Sequence, residues 1–268
     1  MPAGSVIRLS SPATQEFWEL PVLFEDEQLL VVDKPARLLV TPDLNDPQRP
    51  DLMRLLHDGI AEGATWAKQR NLSYLANAHR LDFETSGVLL LAKTKPAFVV
   101  VNNQFSANKP ARAYVTLTRG MPELPEFTVD APIGPQTRQP GLMRIDTQGG
   151  KKAVTEFKVL EQFRGFTLLQ CRPLTDRTHQ IRVHLRSTGL HIVGDAAYAG
   201  SPLFLSQLKS SYRLKFNQTE RPLLGRVALH SERIEMTHPA TGQPLVLTAE
   251  WPKDLRVTLK YLRMFSGL

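Results

Sequence analysis

Residues 79–93 read HRLDFETSGVLLLAK. The first nine residues are mostly polar, whereas Val88 to Ala92 form a continuous apolar run. This pattern predicts a loop that carries charged side chains to the start of a buried strand. Asp82 in such a loop is either a turn former, the usual role of Asp before Thr-Ser-Gly, or a catalytic group held at a strand end. These nine residues alone favour the turn former.

A second polar and basic cluster lies far downstream, where residues 173–185 read PLTDRTHQIRVHL. It joins a strand-like run, Phe166 to Cys171, to a predicted helix that ends at Gly189. Two long motifs in a fixed order are much more specific than one short pattern.

Together, "HRLDFETSGVLLLAK" and "RTHQIRVHL…GLHIVGDAAY" resemble the RluA-type family of pseudouridine synthases, which isomerise uridine within RNA. The resemblance implies an α+β fold: a mixed, mostly antiparallel central sheet flanked by helices and loops, with an active-site cleft. Three positions depart from the family pattern. Arg37 and Asp176 stand where the family commonly has glycine, and Thr41 stands where it often has histidine.

The resemblance implies three catalytic residues. Asp82 is the catalytic carboxylate, Arg177 lies opposite it, and Tyr114 stacks on the target base. A guanidinium beside Asp82 would favour the ionised carboxylate and orient it bidentately. Asp82 could attack the ribose, attack the uracil or remove a proton, and the sequence leaves these roles open. Without the motifs, Arg177 would be interpreted as part of a core salt bridge and Tyr114 as a half-buried strand residue.

Substrate binding is predicted for Arg80, His79, Thr85 and Arg182. Arg80 stands two residues before Asp82. We expect its side chain to fill the gap that remains when the target uridine is turned out of the RNA stack, because chemistry on a base requires that movement.

A metal site is not expected. His179 and His184 are spaced so that they do not align on one helix face, and no cysteine cluster suggests zinc. Hydrogen bonding that holds the two motif loops is the predicted role of these histidines and of His79. The isomerisation involves no redox change, so we also expect no cofactor.

The length of 268 residues and the hydrophobic content of 42% predict a globular, soluble chain. We expect a single catalytic domain over residues 1–268. Residues 1–20, rich in Ser, Pro and Ala, are predicted to form a loose arm with a short strand around Val6 to Leu9, without the N-terminal RNA-binding module of many relatives.

The formal net charge of +7 suits a polyanionic partner. Charge alone leaves RNA, DNA and anionic membrane open, and the resemblance selects ribosomal or transfer RNA. No apolar run is long enough to cross a bilayer, and the single cysteine, Cys171, is interpreted as a buried apolar residue. These features, with no secretory signal pattern, predict a cytoplasmic protein, and monomer is the default expectation.

Local patterns predict several elements. Helices are expected over residues 51–62 and 95–108, the second with Phe98, Val99, Asn102 and Phe105 facing the core. A hairpin is expected from residues 153–160 and 166–171. Basic residues of the segment 201–221 are either RNA backbone contacts or a solvated loop: Lys209, Arg213, Lys215 and Arg221.

Two functions compete with the uridine isomerase. The first is an RNA-binding folding or assembly factor on the same fold, which would have no need of Asp82, Tyr114 and Arg177 together. The second is a glycosidase, which would require a second acid near Asp82. Glu84 is the only close candidate, and along an extended segment its side chain would point the other way.

Overall fold

The structure is a computed structural model that describes residues 5–43, 46–214 and 217–268. The strands, in chain order, are β1 (Val6–Ser11), β2 (Glu16–Glu25), β3 (Leu29–Lys34), β4 (Ala76–Asn77), β5 (Ser86–Ala92), β6 (Ala111–Arg119), β7 (Glu126–Asp130), β8 (Ile133–Pro135), β9 (Met143–Ile145), β10 (Val154–Phe163), β11 (Phe166–Pro173), β12 (His191–Ile192), β13 (Leu229–Thr237) and β14 (Pro244–Thr248). The α-helices are α1 (Leu52–Ala61), α2 (Thr65–Gln69), α3 (Lys95–Ser106), α4 (Gln180–Ser187), α5 (Leu205–Leu208) and α6 (Lys253–Phe265).

The chain divides into two compact units. The first comprises Met1–Arg112 and Ser231–Glu250, and the second comprises Ala113–His230 and Trp251–Leu268. Both units combine antiparallel strands with helices, which confirms the predicted α+β class. The assignment of one catalytic function to the whole of residues 1–268 stays a prediction.

The sheet of the first unit has the strand order β1-β2-β3-β5-β13, with β4 on β5 and β14 on β13. Every residue of β5 is buried, as its continuous apolar run predicts. Leu90 of β5 packs with Val31, Phe105 and Ile234 in the core of this unit. The strand that follows the Asp82 loop is therefore the centre of a packed sheet.

The short strand expected around Val6 to Leu9 forms part of β1, but residues 10–20 form the end of β1, a turn and the start of β2 rather than a loose arm. β1 and β2 form an antiparallel hairpin in which Ile7 pairs with Leu20 and Leu9 with Trp18. All four side chains are buried. Alternate residues of both strands face the core because successive side chains of a strand point to opposite faces.

Both predicted helices of the first unit form. The Asp51 side chain accepts a hydrogen bond from the backbone N–H of Arg54 and caps α1. α3 begins after Thr94, and Pro96 lies in its first turn. The predicted core stripe of α3 is partly wrong: Ala97, Val101 and Phe105 are buried, whereas the Val99 side chain is 55% exposed.

The sheet of the second unit has the order β6-β11-β10-β7, with β12 on β6. β10 and β11 form the predicted hairpin, and its turn contains Gly165 in the left-handed region at φ 77°. Cys171 lies fully buried on β11, as predicted, and burial raises the pKa of its thiol. α4 ends before Gly189, also as predicted, and packs its Val183 against Tyr198 and Ile133.

The helices of the described residues were compared with the length and apolar character that a membrane-spanning helix needs. None of them is both long enough and apolar enough to span a bilayer.

Candidate active site

Asp82 lies in a tight turn of the first unit, immediately before β5. The turn is closed by a hydrogen bond from the Thr85 N–H to the Asp82 carbonyl at 3.1 Å. The Phe83 carbonyl accepts a second bond from the Arg37 N–H at 2.7 Å. The Asp82 side chain is half-buried. The turn-forming interpretation of Asp82 is thus correct for its backbone, and the catalytic role of its side chain stays a prediction.

The loop after β3 supports this turn. Lys34 is fully buried, and its Nζ donates to the carbonyls of Pro35 and Leu38, both at 2.7 Å. Arg37, between these two acceptors, has a left-handed φ of 63°. Glycine adopts a positive φ more readily than any other residue, which agrees with the glycine that the family pattern described above has at this position. Arg37 also lies 3.7 Å from the Glu84 carboxylate.

Gly87 fixes where the turn enters the sheet. Its φ is 116°, and a Cβ at this position would lie 2.1 Å from the Ser231 carbonyl oxygen. Both the backbone conformation and the close approach of β13 therefore require glycine.

The predicted substrate-binding residues of this loop differ in exposure. Arg80 is exposed and takes part in none of the hydrogen bonds and ion pairs described. His79 and Thr85 are buried. The His79 Nε2 accepts a hydrogen bond from the Leu90 N–H at 3.1 Å, and its ring stacks on Phe105. This geometry gives His79 the loop-holding role that its position also suggested.

Tyr114 and Arg177 lie in the second unit. Tyr114 is on β6, with its side chain buried, and pairs with Cys171 of β11. The loop that carries Arg177 begins where β11 ends, so strand pairing brings Tyr114 beside the start of that loop. The Arg177 guanidinium donates to the carbonyls of Lys152 at 3.0 Å and Asp176 at 2.9 Å. The meeting of Tyr114 and Arg177 with Asp82 is a prediction.

Arg182 has a partner that the sequence analysis did not identify. Its Nε and Nη2 donate to the two carboxylate oxygens of Asp195, each at 2.7 Å, and both side chains are buried. The guanidinium also lies 4.7 Å from the centre of the Tyr198 ring. The sequence analysis predicts that Arg182 binds the substrate. In the structure its guanidinium donates two hydrogen bonds to Asp195. A signal was present, because Asp195 and Tyr198 lie within the quoted motif and a buried arginine requires a carboxylate.

Tyr198 links this ion pair to the Arg177 loop. Its hydroxyl lies 2.7 Å from Nδ1 of His179 and accepts a hydrogen bond from the Met143 N–H at 2.9 Å. His179 precedes α4 in the left-handed region, at φ 55°. Its ring is therefore anchored two residues after Arg177.

The helix behind this loop is held by a buried polar network. The Thr155 hydroxyl bonds to Nδ1 of His184 at 2.9 Å and accepts from the Gln180 amide at 3.0 Å. His184 Nε2 donates to the Ala131 carbonyl at 3.0 Å. Burial lowers the pKa of His184 from its ordinary value, and the bond to Ala131 partly opposes this effect. The neutral imidazole fits one donor and one acceptor bond.

No metal centre is formed by the residues described. Within the three described ranges, no group of three or more His, Cys, Asp or Glu side chains could hold an ion.

The sequence matches the family model described as RNA pseudouridylate synthase over residues 28–187. This range includes the Asp82 turn, Tyr114, Arg177 and the beginning and end of α4. The chain therefore belongs to the RNA pseudouridylate synthase family and is an isomerase that acts on RNA.

Individual relatives extend the similarity over nearly the whole chain. This chain is 35% identical over 267 residues to the ribosomal large subunit pseudouridine synthase D of Xanthomonas campestris, and the match covers 98% of this chain and 75% of that protein. It is 33% identical to the enzyme of the same name from Zymomonas mobilis, covering 96% and 77% respectively.

Solved structures show the same fold. The human RNA pseudouridylate synthase domain containing 4 superposes with a TM-score of 0.66 at 24% identity, covering 90% of this chain and 92% of that one. The human domain containing 1 gives a TM-score of 0.61 at 24% identity, covering 86% and 83%.

Proposed function

We propose that this RNA pseudouridine synthase uses Asp82 as its catalytic carboxylate on a uridine of large-subunit ribosomal RNA. The observation that carries the catalytic part is the Asp82 turn. Its backbone is fixed by bonds from Thr85 and Arg37, and Gly87 leads it directly into a buried strand. Such support holds one carboxylate in a defined position, which catalysis on a bound base requires.

The reaction rearranges bonds within one nucleotide. The bond from N1 of uracil to C1′ of the ribose breaks, the base rotates, and a bond from C5 to C1′ forms. C5 loses its hydrogen and N1 gains one, so the product is an isomer of uridine. Asp82 assists either as a nucleophile at the ribose or uracil, or as the base that removes a proton.

Tyr114 and Arg177 complete the proposed site. Tyr114 would stack on the released ring, which must stay in place while it rotates. Arg177 would favour the ionised form of Asp82. Arg182, together with Asp195, suits a positioning role better than substrate binding. Its buried guanidinium already donates two hydrogen bonds to the Asp195 carboxylate.

Large-subunit ribosomal RNA is proposed as the substrate because several relatives carry that substrate in their names. The test is to map pseudouridine in total RNA from cells with and without the gene, using carbodiimide adducts that stop reverse transcription. We expect one or more large-subunit sites to disappear. Loss of a site in transfer RNA instead would overturn the ribosomal assignment.

The catalytic assignment is tested by complementation. Asp82→Asn should abolish the mapped site, whereas Glu84→Gln, which changes a carboxylate two residues away in the same turn, should retain it. Both variants must keep the melting temperature of the parent chain. If Asp82→Asn restores the modification, Asp82 is not catalytic. If deletion of the gene changes no site, the chain acts as an RNA-binding factor.

Arg80 is proposed to occupy the gap left by the everted uridine. Its exposed side chain, two residues before Asp82, supports this role. Arg80→Ala should reduce turnover of a folded RNA far more than turnover of an unstructured oligonucleotide, and Arg80→Lys should restore part of the difference. Equal losses on the two substrates would contradict the proposal.

A further inference from the structure

The last helix of the second unit, α6, carries a row of basic side chains. Lys253, Arg256, Lys260 and Arg263 follow one another at intervals of three, four and three residues, and all four are exposed. Residues at these intervals lie on one face of a helix. At a rise of 1.5 Å per residue, the row extends over roughly 15 Å. We call these four residues the α6 basic row.

Three members of the α6 basic row carry charges that the protein does not neutralise. Within the described part of the chain, Lys253, Arg256 and Lys260 form no ion pair or hydrogen bond through their side chains. Arg263 differs, because its guanidinium binds the Glu161 carboxylate bidentately at 2.7 and 2.9 Å. The hydrogen bond to Glu161 raises the pKa of Arg263.

The opposite face of α6 is already occupied. Leu255, Leu259 and Leu262 are buried in the second unit. An amphipathic helix that binds a membrane inserts its apolar face into the lipid, and this face is not available. The charged face therefore fits a polyanion in water better than a bilayer. Lys209, whose Nζ lies 5.7 Å from the centre of the Phe265 ring, adds a further cation beside the helix.

We propose that the α6 basic row is an RNA-docking surface that binds the phosphate backbone of the substrate, with Lys253, Arg256 and Lys260 as its active members. This docking proposal rests on the proposed function only in that the family acts on RNA. It does not depend on whether Asp82 is the catalytic carboxylate. A row of separate cations on one rigid helix binds successive phosphates without reading sequence. Its contribution is affinity and orientation, whereas chemistry takes place elsewhere.

The test measures binding of an unmodified in vitro transcript of large-subunit ribosomal RNA at several salt concentrations. Each phosphate contact contributes about 0.7 to 0.9 to the slope of log K against log salt. The triple variant Lys253→Gln, Arg256→Gln, Lys260→Gln should therefore lose about 2 to 3 from the magnitude of this slope. Its KM for RNA should rise, and kcat at saturating RNA should stay unchanged.

A matched control removes the same charge elsewhere. Lys68, Lys95 and Lys109 are exposed residues of the first unit, and replacing all three with Gln also lowers the net charge by three. This control should retain most of the slope. Equal losses in the two triple variants would show a general charge effect and overturn the proposal, as would an unchanged slope in the α6 variant.

Glu161 permits a test in the opposite direction. Glu161→Gln removes the carboxylate that occupies Arg263, so the freed guanidinium should add roughly one further contact and increase the slope by about 0.7 to 0.9. Arg263→Gln alone should change the slope little. If Glu161→Gln weakens RNA binding while the fold is intact, α6 does not bind the backbone. Stronger binding of the parent chain to phosphatidylserine vesicles than to the transcript would assign the row to a lipid surface.

Discussion

The Arg182 guanidinium and the Asp195 carboxylate face each other edge to edge in the second unit, with both hydrogen bonds at 2.7 Å. Asp195 is almost fully buried. The Arg182 guanidinium lies 4.7 Å from the centre of the Tyr198 ring, and Tyr198 in turn contacts His179 in the loop after Arg177. The position of the proposed catalytic loop therefore depends on a buried charge pair that contacts no substrate in our assignment.

Replacing Asp195 with Asn should be strongly destabilising. Asn keeps the shape of Asp but leaves the buried guanidinium without a counter-charge, which costs about 3–5 kcal/mol. Urea denaturation measures the change. Asp254→Asn is the matched control, because Asp254 binds Arg226 with similar bidentate geometry but is 36% exposed. A comparable loss for both variants would contradict the special role of burial.

Tyr198→Phe should affect both stability and turnover. The change removes the acceptor for the Met143 N–H and the partner of His179, at a cost of about 1–3 kcal/mol. If the loop positions Arg177, kcat should fall while KM for RNA changes little. Tyr261→Phe is the control, because the Tyr261 hydroxyl takes part in none of the hydrogen bonds described. A loss of stability without a change in kcat would restrict Tyr198 to a structural role.

Gly87→Ala should unfold or severely weaken the first unit. The new methyl group would lie 2.1 Å from the Ser231 carbonyl at a left-handed φ, so strain and overlap add to about 2–5 kcal/mol. Gly165→Ala separates the two causes, since its φ is 77° but no atom lies within 4 Å of the new Cβ. We expect the Gly165 variant to lose about 1 kcal/mol. Thermal denaturation of both variants decides the question.

His184 should make stability depend on pH. Burial lowers its pKa in the folded state below the ordinary value of 6.5, so the unfolded chain binds a proton more readily. The free energy of unfolding should therefore fall as the pH decreases below 6.5, and the His184 contribution should be fully present above that value. His184→Gln should be less stable at pH 8 and show a shallower decline between pH 7 and pH 5. Urea midpoints of the two proteins across about that range provide the comparison. Parallel curves would show that His184 does not titrate in this way.

Much of the local structure followed from residue patterns. The apolar run of β5, the Asp51 cap of α1, the hairpin at Gly165 and the turn at Asp82 are all specified by neighbours in the chain. Such features depend on short-range hydrogen bonds and on side-chain periodicity, so a short segment of sequence contains the necessary information.

α6 was not predicted, although its signal was present. Leu255, Leu259 and Leu262 recur at helical spacing, with Asp254 in the first turn and basic residues on the other face. The α6 basic row could have been predicted from the same helical spacing. The structure was needed to show which of these residues can bind RNA, because only the ion pairs reveal that Arg263 is neutralised while the other three members of the row are not.

The sequence specified the family, the α+β class and the turn that carries Asp82, because motifs and periodicity are properties of neighbouring residues. Tertiary packing decided which face of α3 is buried, that the first strands form a hairpin, and that Arg182 binds Asp195. Each of these depends on the surface against which an element packs: the buried residues of β1, β2 and α3 face a core built by other segments, and the Arg182–Asp195 pair is buried in the second unit. Burial of a charge or an apolar side chain is favourable only when its partner is in place, and the sequence shows candidates such as Asp195 without showing which of them Arg182 contacts.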